Sequence, residues 1–226
     1  MIEFKNVTKV YPNGTIALDG IDLTIEDGEF VFIVGGNGSG KTTLTRLLIK
    51  EEEITSGEII VNEQKLSKLK HWQVPYYRRG LGMVFQDFKL LEQKTVSENV
   101  AFAMDVIGKP KKSKDLNVKT ALELVRLLDK AHCKTHEISG GERQKLAITR
   151  AFVNEPKVII ADEPTGNIDP EMSRGIMELL IKINKQFDRT VIVITHEEQL
   201  VNFYKKRVIR INNGKIESDE GGGKSL

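Results

Sequence analysis

Cys133 is the only cysteine in this chain of 226 residues. An internal disulfide is therefore excluded, which fits a reducing compartment. Cys133 falls between a helical stretch and the turn at Ser139, where a small buried or loop residue is expected rather than a nucleophile. Long apolar runs are missing too, and none approaches the ~20 residues that a membrane-spanning helix needs. The opening Met-Ile-Glu-Phe-Lys-Asn lacks the basic-then-apolar pattern of an export signal. The expectation is a cytosolic chain, held at a membrane only through a partner. Net charge is small as well: 34 basic residues against 32 acidic ones leave +2. No overall field draws the chain to nucleic acid, and none is expected as a partner. No internal repeat is visible. The 39% hydrophobic and 29% charged content is ordinary for a globular protein, sufficient for one large domain or two small ones.

The densest chemistry lies at Gly35-Gly36-Asn37-Gly38-Ser39-Gly40-Lys41-Thr42, which fits the phosphate-loop pattern G-x-x-x-x-G-K-[ST]. An apolar run, Phe30 to Val34, reads as a buried strand before it. Thr43 to Ile49 reads as a helix after it, giving the strand-loop-helix context the motif requires. The glycines let the backbone turn tightly and aim its N–H groups inward at anionic oxygens. A helix starting at Lys41 adds its positive N-terminal dipole. Lys41 is placed to reach outer phosphates, and the Thr42 hydroxyl to ligate Mg²⁺. Nucleotide binding follows from this segment; the use made of the nucleotide does not.

Around the loop the periodicity changes twice. Residues 1–34 read as short strands: Ile21, Leu23 and Ile25 alternate with polar residues, and Tyr11-Pro12-Asn13-Gly14 and Asp27-Gly28 mark turns. Strands are expected at Gly57–Asn62 and Arg79–Gln86. From about 95 to 155 the spacing is helical, with Val96, Val100, Ala103 and Met104 three or four apart. Val158–Ala161 and Val191–Ile194 read as buried strands on either side of a helix over Ser173–Lys185. This alternation predicts an α/β fold with a parallel sheet, into which the helical stretch is inserted. Residues 219–226 are polar and Gly-rich, and are expected to form a flexible tail.

Two further constellations narrow the chemistry. Val158–Ala161 ends in Asp162-Glu163, at the strand end where open α/β sheets place ligands. Asp162 is the candidate metal ligand, and Glu163 the candidate base that polarises the attacking water. Ser139-Gly140-Gly141-Glu142 is a capping box, so a helix begins there with exposed N–H groups.

The phosphate loop, Ser-Gly-Gly-Glu at 139–142, Asp-Glu at 162–163, Asn-Ile-Asp-Pro at 167–170 and the strand-end His196 together resemble an ATP-binding-cassette (ABC) ATPase, from Tyr11 to about Gly214. That resemblance implies a P-loop, RecA-like parallel-sheet core with an N-terminal antiparallel β subdomain and an inserted α-helical subdomain. A single domain would span 1–218, with 1–90 and 156–218 forming the β subdomain and core, and about 91–155 the helical part. It implies ATP and Mg²⁺ as ligands. Tyr11 would stack on adenine beside Ala17, and residues 35–42 with Thr43 would bind phosphate. Thr42, Gln86 and Asp162 would hold the metal, while Glu163, His196 and Lys41 would carry the chemistry. Ser139, Gly140, Gly141, Glu142 and Asp169 would contact ATP held by a second copy, in a homodimer. Ile138, Arg143 and Lys145 depart from the commonest signature, and Lys145 loses the planar fork of arginine. Stretches 78–91 and 95–104 resemble the cell-division branch of the family. That implies an FtsX-like integral membrane permease as partner, at the cytoplasmic face of the cell membrane. Lipoprotein-releasing and macrolide-export ATPases share much of this pattern. Phe88, Leu90 and Leu91, beside Gln86, are the expected docking residues for a partner helix. A nucleotide-gated scaffold without hydrolysis is the remaining alternative, and it is expected to lack Glu163.

Overall fold

The structure is a computed structural model that describes residues 1–166 and 168–221, without the side chains of residues 111–113. Asn167 of the Asn-Ile-Asp-Pro motif and residues 222–226 of the expected tail lie outside the described residues.

In chain order the elements are β1 (Ile2–Val10), β2 (Ile16–Ile25), β3 (Phe30–Val34), α1 (Lys41–Leu48), β4 (Ser56–Val61), β5 (Gln64–Lys65), α2 (Val74–Arg78) and β6 (Leu81–Val84). There follow α3 (Val96–Val106), α4 (Lys111–Leu124), α5 (Gly140–Phe152), β7 (Val158–Asp162), α6 (Pro170–Phe187), β8 (Thr190–Thr195), α7 (Glu198–Tyr204), β9 (Arg207–Asn212) and β10 (Lys215–Glu220). Two sheets form. One has four strands in the order β2-β1-β4-β5, the other six in the order β10-β9-β3-β8-β7-β6. The smaller sheet is antiparallel throughout. The larger is parallel from β9 to β6, with β10 antiparallel at its edge.

Period-two alternation in the central strands divides the interior into two cores. Val31, Ile33, Ile160, Ile192 and Ile194 face α1 and the antiparallel sheet. Phe30, Phe32, Ile159, Val191 and Val193 face the helical layer, packing with residues of α3 to α6. Strands covered on both faces must be apolar at every position, which is why β3 reads Phe-Val-Phe-Ile-Val and is buried throughout. The phosphate loop and the ends of β7 and β8 then emerge at the same edge of the sheet, as parallel register requires.

Three expected boundaries move. The strand expected over Arg79–Gln86 is confined to Leu81–Val84, because the chain turns away into left-handed backbone at Phe88 and Lys89. The helix expected from Ser173 starts at Pro170, since Asp169 accepts hydrogen bonds from the amides of Glu171 and Met172 and Pro suits the first turn. The tail expected from 219 begins later. Asp219 and Glu220 pair with Ile209 and Val208 in β10, and Arg207 binds Asp219 through Nε at 2.8 Å and Nη2 at 2.6 Å. A polar composition does not prevent an edge strand whose carboxylate is paired.

Candidate nucleotide site

The loop between β3 and α1 is shaped by close approach. A Cβ on Gly35 would lie 2.2 Å from the carbonyl oxygen of Ile211, and one on Gly40, whose φ is 112°, would lie 2.5 Å from that of Ala17. Only glycine fits either place. Lys41 folds its ammonium onto the loop, donating to the carbonyls of Gly35 at 2.7 Å and Gly36 at 2.9 Å. The Ser39 hydroxyl is buried without a partner among the described residues. Above the loop lies a cavity of about 480 Å³, lined by Tyr11, Thr15, Ile16, Ala17, residues 37–43, Gln86, Asp162, Glu163 and His196.

At the acidic end, Asp162 pairs with Ile194 across the β7–β8 ladder. The Glu163 amide donates to the Ile194 carbonyl at 2.8 Å. Glu163 adopts a left-handed φ of 46°, uncommon for a non-glycine residue. Its Oε1 lies 2.8 Å from His196 Nδ1, while its Oε2 is buried without a partner among the described residues. Burial raises the Asp162 carboxyl above its ordinary value and the Glu163 charge adds to this, whereas Lys41 and Arg46 oppose it. Beyond this pair, the Thr165 hydroxyl donates to the Glu197 carboxylate, joining the same two strand-end loops again.

At the opposite end, Tyr11 opens a turn closed by its amide on the Thr15 carbonyl. Its hydroxyl is 3.3 Å from that of Thr43, and the Lys9 ammonium sits 4.9 Å from its ring centre. Thr15 and Ile16 join this wall although nothing in the sequence singled them out. Ile16 is 57% exposed, yet it lies two residues from buried Leu18 and reads as core.

The remaining candidates lie elsewhere. Ser139, Gly140, Gly141, Glu142 and Asp169 line no part of this cavity. Ser139 and Glu142 form the expected capping box at the start of α5. Glu142 also pairs with Lys130, and that ammonium, with the Ser139 amide, holds its carboxyl below the usual range. Gln86 does reach the cavity. It begins a strap, residues 86–91, in which Phe88 and Lys89 have φ of 59° and 49°. Arg150 of α5 clasps the strap, donating to the Phe88 carbonyl at 2.9 Å and to that of Lys89. Asn99 of α3 fixes its far end, accepting from the Leu91 amide at 2.8 Å and donating to the Leu91 carbonyl at 3.1 Å. Phe88 and Leu90 are partly buried against the helical core. Both also line a cavity of about 430 Å³ with Arg143 and His136, and a more apolar groove of about 440 Å³ lies apart from it, its lining including Leu81, Met83, Phe85, Phe102, Val106 and Ile107. The strap's turn places Phe88 and Leu90 against the core instead of in that groove.

Residues 18–166 match the family profile described as ABC transporter. The chain belongs to this family. It is 48% identical over 223 residues to the cell division ATP-binding protein FtsE of Bacillus subtilis, covering 99% of this chain and 97% of that one. Identity to the FtsE of Mycobacterium tuberculosis is likewise 48% over 224 residues, with 99% and 97% covered. Among solved structures, a dimeric ATP-binding cassette in a post-hydrolysis state, bound to ADP and Pi, superposes with a TM-score of 0.87 at 34% identity, covering 98% of each chain. CbiO1 from Clostridium perfringens, part of the cbiONQ ABC transporter complex, gives 0.91 at 30% identity, covering 98% of this chain and 88% of the other. The chain is an ABC ATPase subunit of the cell-division type, with the ABC nucleotide-binding fold. The lipoprotein-release and macrolide-export alternatives have less support. Among the described residues no helix is long and apolar enough to cross a membrane.

Proposed function

We propose that two copies of this chain close head to tail around two ATP molecules and, by hydrolysing them, drive an FtsX-like permease that controls cell-wall hydrolysis during division. The observation that carries the hydrolytic site is the Glu163 carboxylate. Its Oε1 is tied to His196, its Oε2 has no partner among the described residues, and the residue lines the cavity of the phosphate loop. A carboxylate at that cavity with an oxygen to spare can accept the proton of an attacking water. His196 orients it and lies where a γ-phosphate would be contacted. The loop amides and Lys41 bind the phosphates, and Tyr11 with Ala17 and Ile16 holds the base. Thr42, Asp162 and Gln86 line the same cavity, and one carboxylate with one hydroxyl and one amide suits Mg²⁺, which takes its other ligands from phosphate and water. When bound, that ion neutralises charge developing on the phosphoryl oxygens.

The second copy is supported by what lies off the cavity. The α5 N-terminus presents the amides of Gly140 and Gly141 away from the nucleotide cavity, beside a Ser139 amide already bound to Glu142, and Asp169 lies off the cavity too. Glu163→Gln should hydrolyse ATP ~10²–10⁴-fold more slowly and accumulate as an ATP-bound dimer, measured by phosphate release and light scattering. A monomer at saturating ATP overturns the head-to-tail arrangement, and hydrolysis at the parent rate removes Glu163 from the chemistry.

The permease is assigned to the groove beside β6, because an open apolar channel fits one face of an amphipathic helix. Phe102 and Val106 on its α3 wall are 42% and 53% exposed. Phe102→Asp or Val106→Asp should abolish co-purification with the membrane partner while leaving ATP affinity unchanged. Undiminished co-purification places the docking surface elsewhere. The external domain of the co-purified permease separates the division reading from lipoprotein release or export.

A further inference from the structure

Between Gln64 and Gln86 the sequence carries no acidic residue, while Lys65, Lys68, Lys70, Arg78 and Arg79 fall within it. In a chain with 34 basic and 32 acidic residues this is a local excess in an otherwise balanced surface. The segment is pinned from below. Leu66 and Tyr77 are buried, the Tyr77 hydroxyl donates to the Leu48 carbonyl, and Arg78 donates to the carbonyls of Ile49 at 2.8 Å and Lys50 at 3.0 Å. Between these anchors Lys68, Lys70 and Arg79 are exposed. Lys65 pairs with Glu58, but Lys68, Lys70 and Arg79 form no ion pair among the described residues. Trp72, the only tryptophan in the chain, is 64% exposed and Tyr76 is 62% exposed. The Arg79 guanidinium lies 4.7 Å from the centre of the Tyr76 ring.

A face that serves only to be solvated has no use for an exposed indole. Tryptophan and tyrosine beside lysine and arginine are the side chains that settle at a headgroup layer, rings at the apolar boundary and cations against lipid phosphates. The position agrees. Pro75, Arg78 and Arg79 form one rim of the apolar groove, so a permease seated there brings this rim to the bilayer. We propose that the surface from Lys68 to Arg79 contacts the anionic headgroups of the membrane next to the permease. This rests on the membrane-subunit reading above, and charge complementarity selects acidic lipid as the occupant.

Trp72 is the natural probe, since all tryptophan emission comes from this site. Vesicles of phosphatidylcholine containing phosphatidylglycerol should shift the emission of the full chain to the blue. Phosphatidylcholine alone, or inorganic phosphate, should not. Neutralising Lys68 and Lys70 to Gln should weaken vesicle binding about 30-fold, and added salt should weaken it further. Basal ATP hydrolysis should stay at the parent rate, because neither lysine lines the nucleotide cavity. No shift with acidic vesicles, an equal shift with neutral ones, or undiminished binding by the neutralised variant overturns the proposal. So does a shift produced only by a co-expressed permease, which would make the occupant a protein. Co-purification of the permease is scored separately. A permease that co-purifies with a chain blind to vesicles defeats this inference alone, and failure of any permease to co-purify with a chain that does bind vesicles defeats the subunit reading alone.

Discussion

Replacing Arg150 with methionine keeps the aliphatic stem and removes both hydrogen bonds that clasp the strap. Bonds from a charged donor are worth roughly 1.5–3 kcal/mol each, so the clasp has an upper bound of about 3–6 kcal/mol. The strap is partly exposed and water would replace part of that. Relief of left-handed backbone at Phe88 and Lys89 on opening is common to parent and variant and cancels in the difference. A net loss of about 2–3 kcal/mol for the closed strap is the working figure, which raises its opening equilibrium roughly 30- to 150-fold at 1.36 kcal/mol per decade. Amide hydrogen exchange with mass detection reads this directly. Exchange at the amides of residues 88–90 should accelerate by that factor. The Leu91 amide, bound to Asn99 Oδ1, should stay protected. ATP hydrolysis should fall because Gln86 loses its fixed position, with ATP affinity little changed. Arg150→Lys, which offers an ammonium without the fork, should lie between parent and Met variant. Unchanged exchange in a folded Met variant refutes the clasp. Acceleration spread over the whole of α5 makes Arg150 a support of the core instead.

Two further outcomes test other parts of the molecule. Tyr11→Ala should weaken binding of a fluorescent ATP analogue by about 0.5–1.5 kcal/mol, while Tyr11→Phe keeps the ring face and the affinity; equal affinity for the Ala variant makes Tyr11 a packing residue. Glu142 has its carboxyl held below the ordinary 4.5, first by Lys130 and then by the Ser139 amide. The stability it contributes is therefore present above about pH 4.5 and is lost as pH falls through the lowered value. Glu142→Gln keeps the capping bond and loses the ion pair, so its melting temperature should lie slightly below the parent at neutral pH. The two should converge in acid, as scanning calorimetry across a pH series would show.

What could be read in the sequence was what local chemistry fixes. The phosphate loop announces itself because Gly35 and Gly40 stand where no side chain fits. The start of α5 does so because Ser139 and Glu142 satisfy each other's backbone within four residues. Asp169-Pro170 held the same kind of information about α6, and the apolar spacing from Ser173 onward hid it. Pairings between distant segments were not legible. That β4 would lie against β1, Ile2 opposite Val61, depends on cores assembled from both. The meeting of Glu163 with His196 follows from the order of strands in the sheet, which single-strand patterns do not encode. Which apolar residues near Gln86 turn to the core was hidden for a related reason. Val84, Phe85, Phe88, Leu90 and Leu91 are alike in hydrophobicity, and only the left-handed turn at Phe88 and Lys89 determines which of them face the core.

The two halves of the nucleotide site are held by different kinds of matter. Glu163 and His196 each follow a central strand directly, and the β7–β8 ladder runs as far as the Asp162–Ile194 pair. Their separation is thus ruled by the spacing of a parallel sheet, about 4.7–4.9 Å between strands, and inherits its stiffness. Gln86 lies between the end of β6 at Val84 and a strap that Arg150 holds at Phe88 and Lys89 and Asn99 holds at Leu91, each from a helix outside the sheet. Displacing α3 or α5 by an ångström would leave the carboxylate–histidine distance as it is and pull on the strap that follows Gln86. Movement of the helices can therefore shift the strap without deforming the Glu163–His196 pair.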